Sequence, residues 1–99
     1  MKHCYTFGEF RLELDERRLL RRGEAIPLPP KVFDTLILLV ENSGHLVTKD
    51  EFMNRLWAGT FVGEDTLARN ISLLRKVLGE DYIATVPRHG YRLVVTVDE

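Results

Sequence analysis

The sequence is poor in the features that mark secreted and membrane proteins. Cys4 is the only cysteine, so no internal disulfide can form, and a reducing cytoplasm is the compartment we expect. The longest purely apolar run extends only from Leu36 to Val40, far below the ~20 residues that cross a bilayer. No basic segment followed by an apolar stretch stands at Met1, which predicts that the chain has no secretory signal.

The sequence also lacks the patterns of catalytic and metal sites. It contains no CxxC or HxxxH spacing, no glycine-rich phosphate loop and no nucleophile–base pair. The acidic pairs Asp50-Glu51 and Glu64-Asp65 stand where helices are predicted to begin, and carboxylates there interact favourably with the helix dipole. We therefore expect no catalytic residues, no metal and no cofactor, and the protein is not expected to be an enzyme.

Positive and negative charges nearly balance over the whole chain, but a positive excess is concentrated near its end. The formal net charge is −1, which by itself argues mildly against binding to nucleic acid. Residues 66–97, however, carry five Lys or Arg and only two Asp or Glu. Because the local field matters more than the net charge for a polyanion, this last third is the candidate region for binding nucleic acid.

The first third predicts a small antiparallel sheet. Phe10, Leu12 and Leu14 alternate with charged residues, which is the period of a half-buried strand. Turn-forming residues separate this strand from three other short apolar segments, at residues 5–7, 19–21 and 25–28.

The middle of the chain predicts three helices. Pro30 suits the first position of a helix, and the helix is expected to stop at Asn42-Ser43-Gly44. After a short extended link at residues 45–47, Thr48 and Glu51 form a capping box that opens a second helix, which Gly59 is expected to end. The third helix is expected from Asp65 or Thr66 to Leu78, with one narrow apolar stripe formed by Leu67, Ile71, Leu74 and Leu78.

The end of the chain predicts a β-hairpin. Two β-rich segments, Tyr82–Val86 and Tyr91–Val97, flank a turn in which Gly90 is expected to allow the tight bend and Arg88 to stand at the tip. The order of elements predicts an α+β winged helix-turn-helix with an N-terminal antiparallel sheet, three helices and a C-terminal β-hairpin wing. We expect one domain over residues 1–99, with the sheet at about 5–28, the helical core at about 30–79 and the wing at about 82–97.

Four stretches resemble the OmpR/PhoB-type winged-helix DNA-binding domain of bacterial transcriptional regulators. They are IPLPPKVFDTL (26–36), GHLVTK before LW (44–57), ISLLRKVL (71–78) and IATVPRHGYR (83–92). The resemblance covers about residues 5–95, and the last two stretches are the specific ones. It implies a four-stranded N-terminal sheet, a third helix in the major groove of DNA and a wing in the adjacent minor groove. It also implies that the loop before the third helix contacts an RNA polymerase subunit in many members.

The chain departs from the family pattern at two places. The family favours Thr or Ser before the first helix, where this chain has Pro29, so a side-chain N-cap worth ~1 kcal/mol is absent. Ser72 and Leu73 stand where well-known response regulators have two arginines, which makes this chain more similar to the ToxR/CadC-like branch. Base preference is therefore not carried over from the arginine-bearing members.

The third helix and the wing contain the candidate DNA-binding residues. At ~100° per residue, Arg69, Ser72, Leu73 and Lys76 lie opposite the apolar stripe, while Asn70 flanks them and Arg75 lies at the core edge, within reach of a phosphate or an internal carboxylate. Arginine pairs with guanine and asparagine with adenine, while serine and lysine suit phosphates. We predict DNA contacts by Thr66, Arg69, Asn70, Ser72, Leu73, Arg75, Lys76, Arg88, His89 and Arg92.

Other interpretations of these residues stay open at the level of sequence. An exposed helix and a polar hairpin tip would also carry such residues without binding DNA, and Leu73 fits packing against a neighbouring element as well as contact with a thymine methyl. Phe61, in the loop before the third helix, is either tucked beneath the loop or an exposed anchor for a protein partner.

The sequence thus favours sequence-specific binding of double-stranded DNA as the effector domain of a bacterial transcriptional regulator. The expected partners are tandem or inverted DNA half-sites, an RNA polymerase subunit that contacts Phe61, and a second copy of the chain in a homodimer on DNA. The alternative is a winged-helix module that docks to RNA polymerase or a sister domain without reading DNA. Because Met1 directly precedes the predicted sheet, we expect a one-component regulator, membrane-anchored or free, or a stand-alone domain; a receiver domain ahead of it would instead indicate a two-component phosphorelay.

Overall fold

The N-terminal third of the chain forms a four-stranded antiparallel sheet. The computed structural model describes residues 4–99, apart from the side chain of Glu64. The strands follow one another in chain order, as β1 (Cys4–Phe7), β2 (Phe10–Glu13), β3 (Arg18–Arg21) and β4 (Glu24–Ile26). Leu12 pairs with Leu19 across the sheet, and both side chains are fully buried. The predicted sheet and its period of two are confirmed.

Three helices form the centre of the molecule: α1 (Pro30–Glu41), α2 (Lys49–Leu56) and α3 (Glu64–Leu78). Pro29 is the N-cap of α1 and makes no side-chain capping bond, as predicted. The capping box of α2 is confirmed, because the backbone N–H of Glu51 donates to Thr48 Oγ1 (3.1 Å) and the N–H of Thr48 donates to Glu51 Oε1 (3.1 Å). The second helix ends earlier than predicted, since Trp57 and not Gly59 is its C-cap.

A second sheet forms the wing. It contains β5 (Val47–Thr48), β6 (Ile83–Val86) and β7 (Gly90–Leu93) in the order β5-β7-β6. The sequence predicted the hairpin β6–β7, but it treated the segment before α2 as a link and not as a strand. The prediction that the last strand runs to Val97 is wrong, because β7 ends at Leu93.

The C-terminal segment returns to the first sheet. Thr6 and Asp98 exchange two backbone hydrogen bonds, with N···O distances of 2.8 and 2.9 Å. The segment after the wing therefore covers part of the outer edge of β1, where unpaired backbone groups would otherwise remain.

The hydrophobic core lies where α1 meets the other helices and both sheets. Leu36 and Leu39 of α1 are fully buried, as are Phe52 of α2, Leu74 of α3 and Leu93 of β7. Each such side chain contributes ~1.5–3 kcal/mol when it is fully removed from water. The winged helix-turn-helix fold is thus confirmed. No helix within residues 4–99 combines the length and the apolar character that a membrane crossing needs.

Candidate nucleic-acid interface

Helix α3 presents an apolar side to the core and a polar side to solvent. Leu67, Ile71, Leu74 and Leu78 are all buried, which confirms the predicted stripe. Arg69, Ser72 and Lys76 are exposed on the opposite side, with Leu73 and Thr66 half-buried. The polar side of the helix is therefore open to a ligand that contacts it along its length.

The exposed cations of α3 and of the wing tip form no ion pair with any side chain that the structure describes. Among the described side chains, every salt bridge involves an arginine of the first sheet or its turns: Arg11, Arg17, Arg18, Arg21 and Arg22. Arg18 and then Arg11 donate to Glu13, and the hydrogen bond from Arg18 is the main reason why the pKa of Glu13 lies below its ordinary value. Arg69, Lys76 and Arg88 form no such pair with a described residue, so their charge remains available to a polyanion.

Asn70 is not on the exposed side of α3. Its side chain lies between α3 and α1, only 9% exposed, and Asn70 Nδ2 donates to Thr35 Oγ1 (3.3 Å). The hydroxyl of Thr35, which is fully buried, in turn donates to the carbonyl of Lys31 (2.7 Å). This position disagrees with the expectation that Asn70 pairs with adenine. The buried side of α3 is wider than the one-face pattern suggested, and it includes Asn70, which bonds to α1.

Arg75 fastens α3 to the wing. Its Nε and Nη2 donate to the carbonyl of Ile83 (3.2 and 2.9 Å), and Nη2 also donates to Thr85 Oγ1 (2.8 Å). The guanidinium carbon lies 5.9 Å from the ring centre of Tyr91. The sequence predicted a phosphate or an internal carboxylate as the partner of Arg75, whereas the observed partners are groups of β6. Arg75 therefore orients the wing relative to the helix.

The tip of the wing is a tight turn with Arg88 in a left-handed conformation. The N–H of His89 donates to the carbonyl of Val86 (3.0 Å), Pro87 occupies the second position and Arg88 the third, with φ of +69°. A proline followed by a residue of positive φ is the pattern of a type II turn. Arg88 and His89 are both exposed.

Gly90 has a different role from the one predicted. It is a buried residue of β7 and does not have positive φ, so it is not the residue that allows the turn. A Cβ at this position would lie 2.0 Å from the carbonyl oxygen of Val47. Glycine is needed at position 90 because β5 lies directly against it and leaves no room for a side chain. The pairing of β5 with β7 attaches the wing to the start of α2.

Arg92, the remaining predicted contact of the wing, lies on the middle strand of the second sheet. It is half-buried and pairs with Ala84 across the hairpin. Its Nε is buried and has no hydrogen-bond partner among the described residues.

Phe61 lies on the surface. It is fully exposed in the loop between α2 and α3, whereas Trp57 at the end of α2 is buried. Of the two positions that the sequence left open for Phe61, the structure has the exposed one.

Three residues that the sequence did not assign to the candidate interface contribute to the surroundings of α3. Thr35 bonds to Asn70, and Pro29 and Val32 line a surface depression beside Leu73. A threonine within the apolar helix 33–40 was a visible signal of a buried polar contact. Nothing local in the sequence indicated that the start of α1 lies beside the polar side of α3.

Comparison with known proteins places this geometry among regulators of transcription. Residues 23–93 match the family model described as "Transcriptional regulatory protein, C terminal". The transcriptional regulator HilA of Salmonella typhimurium is 36% identical over an alignment of 92 residues, which covers 89% of this chain and 16% of HilA. The transcriptional activator CadC of Escherichia coli is 32% identical over an alignment of 96 residues, which covers 91% of this chain and 19% of CadC. The chain thus spans less than a fifth of the length of these curated relatives.

Solved structures have the same fold. The DNA-binding domain of Escherichia coli CadC superimposes with a TM-score of 0.85 and 30% identity, covering 99% of this chain and 98% of that one. The DNA-binding domain of Klebsiella pneumoniae RstA, solved in complex with the RstA box, gives a TM-score of 0.80 and 26% identity, covering 92% and 96% of the two chains.

Proposed function

The chain belongs to the family of transcriptional regulatory protein C-terminal domains, and from that membership we propose that it binds double-stranded DNA sequence-specifically. It acts as the effector domain of a bacterial transcriptional regulator and has no enzymatic role. The observation that supports this proposal most directly is the set of unpaired cations on the polar side of α3 and at the wing tip.

Helix α3 enters the major groove, which is ~12 Å wide and admits one α-helix. Arg69 is the residue best placed to read a base, since it is exposed near the middle of the polar side. The wing tip reaches the adjacent minor groove, where a narrow groove attracts arginine. The proposed DNA contacts are Thr66, Arg69, Ser72, Leu73, Lys76, Arg88, His89 and Arg92; Asn70 and Arg75 instead orient the helix and the wing.

Selection of binding sites from randomised duplex DNA, followed by a salt series, tests the proposal. Phosphate contacts release counterions, so the affinity must fall linearly with salt on a logarithmic scale. Arg69→Ala should relax base preference at one position, by ~1–3 kcal/mol if the guanidinium is bidentate to guanine. Arg18→Ala is the matched control, because Arg18 is an exposed arginine already paired with Glu13.

A wild-type chain with neither DNA affinity nor base preference would reject the DNA-binding proposal. It would leave the alternative module that docks to RNA polymerase or a sister domain. Unchanged preference in Arg69→Ala would reject the assignment of α3 as the reading helix.

We further propose that the domain binds each half-site as a monomer and that tight binding requires a second copy on tandem or inverted half-sites. The support is a cationic surface of only a few residues, which limits the affinity of one copy. Phe61 contacts an RNA polymerase subunit in this proposal, because a fully exposed phenylalanine stands apart from the DNA-binding residues. Because the domain binds DNA and RNA polymerase in this proposal, we expect it to act in the cytoplasm.

A further inference from the structure

An apolar trough lies within the polar side of α3. Its floor is formed by Leu73 of α3 together with Pro29 and Val32 at the start of α1, and its volume is about 390 Å³. Leu73 is only half-buried and therefore presents apolar surface to the outside. An apolar surface that is kept open on a side otherwise made of Arg, Ser and Lys calls for a ligand that covers it.

The rim of the trough is cationic. Arg69 precedes Leu73 by four residues and Lys76 follows it by three, so both project from the same side of the helix as Leu73. Neither cation is paired with a described side chain. The trough therefore suits a ligand that offers an apolar group between negative charges.

We propose that the trough receives the C5-methyl group of thymine, which makes Leu73 and Val32 determinants of base preference. This inference rests on the proposed binding of α3 in the major groove. Among the base edges exposed in that groove, thymine offers the methyl group, a neighbouring guanine offers the acceptors that Arg69 requires, and a flanking phosphate offers the negative charge that Lys76 requires. Duplex DNA is favoured over an acidic apolar protein segment because the trough is continuous with Arg69 and Ser72 on the same exposed side.

Removal of the methyl group alone tests this inference. A site selected by the wild-type 99-residue chain is prepared with each thymine replaced in turn by deoxyuridine, which keeps every hydrogen-bonding group. We expect one or two positions at which the wild-type affinity falls about fourfold, the change that corresponds to ~0.8 kcal/mol for one buried methyl-sized group. In Leu73→Ala the affinity should be lower and the loss caused by deoxyuridine at those positions should disappear.

Two variants separate this effect from a loss of folding. Val77→Ala shortens another half-buried side chain of α3 that does not line the trough, and it should keep the full deoxyuridine effect. Val32→Thr keeps the size of the side chain while making the floor of the trough polar, so it should reduce the effect without opening a cavity; because Val32 is only 4% exposed, its hydroxyl should also lower the thermal midpoint. Thermal unfolding of every variant checks that the affinities being compared are those of folded proteins.

The possible outcomes distinguish the two proposals. Sequence-specific binding with no deoxyuridine effect at any thymine would overturn this inference and leave the proposed function standing. A deoxyuridine effect that persists in Leu73→Ala would place the methyl group elsewhere. If Leu73→Ala abolishes only the cooperative binding of a second copy, the trough is a protein contact. A wild-type chain without base preference would remove the proposed function itself.

Discussion

The main chain at Arg88 is left-handed, so the effect of this conformation on stability can be separated from the effect of the arginine's charge on DNA binding. A non-glycine residue in this region costs ~1–2 kcal/mol, and the turn keeps it because Pro87 and the bond from His89 to Val86 define the hairpin end. The turn geometry alone would favour glycine at this position. The arginine at this position instead places an exposed positive charge at the tip of the wing.

Arg88→Gly should therefore stabilise the domain while weakening its binding to DNA. We expect the free energy of unfolding to be unchanged or higher by up to ~1 kcal/mol, since the relief of strain exceeds the added chain entropy of glycine. The slope of log affinity against log salt concentration should become shallower by about the contribution of one phosphate contact. Arg88→Lys is the control, because it keeps both the charge and the strain; an unaltered salt slope in Arg88→Gly would remove the wing tip from the interface.

Residue types and helical spacing predicted which side of α3 faces the core and which faces solvent, but they did not predict the partners of Asn70 and Arg75. Both stand near the edge of the apolar stripe, where a helical projection does not tell whether a side chain turns to solvent or to a neighbour. The partners that decide this, Thr35 for Asn70 and Ile83 for Arg75, are contributed by other elements. Only the tertiary packing of α1 and of β6 against α3 settles their orientation.

Among the elements, those with local signals were predictable and those made by long-range pairing were not. The capping box of α2, the proline start of α1 and the alternation of β2 are all encoded within a few residues, and all are observed. The strand β5 contains only two residues and exists because β7 lies beside it. The bridge between Thr6 and Asp98 joins the two ends of the described chain, so no local pattern indicated it.

The pairing of β5 with β7 depends on the absence of a side chain at Gly90. Gly90→Ala should lower the free energy of unfolding by ~3 kcal/mol, because its Cβ would lie 2.0 Å from the carbonyl oxygen of Val47 and backbone cannot yield as a side chain does. DNA affinity should fall as well, since β5 attaches the wing to α2. Denaturant unfolding provides the measurement.

Gly63→Ala is the matched control for that experiment. Gly63 is exposed and precedes α3, and a Cβ at this position would lie 4.0 Å from the backbone nitrogen of Asp65, which is an ordinary van der Waals contact. We expect this variant to lose well under 1 kcal/mol. If Gly90→Ala were as stable as the wild type, the stability of the second sheet would not depend on close pairing of β5 with β7.

At the scale of the whole molecule, the exposed groups are distributed over distinct surfaces. The arginines of the first sheet are paired with carboxylates, Arg69, Lys76 and Arg88 form no ion pair with a described side chain, and Phe61 lies in the loop before α3. This distribution explains how a chain with a formal net charge of −1 can bind a polyanion on one side.

Phe61→Ala should separate transcription activation from DNA binding. Because Phe61 is fully exposed, its removal exposes no core, and both the thermal midpoint and the DNA affinity should stay at wild-type values. Activated transcription with purified RNA polymerase should fall about fivefold or more, as expected when an aromatic anchor worth at least ~1 kcal/mol is lost. Val94→Ala is the control, since Val94 is also an exposed apolar residue but follows the wing. Wild-type transcription from Phe61→Ala would exclude the loop as a polymerase contact, and a fall in stability would mean that the phenylalanine packs against the domain in solution.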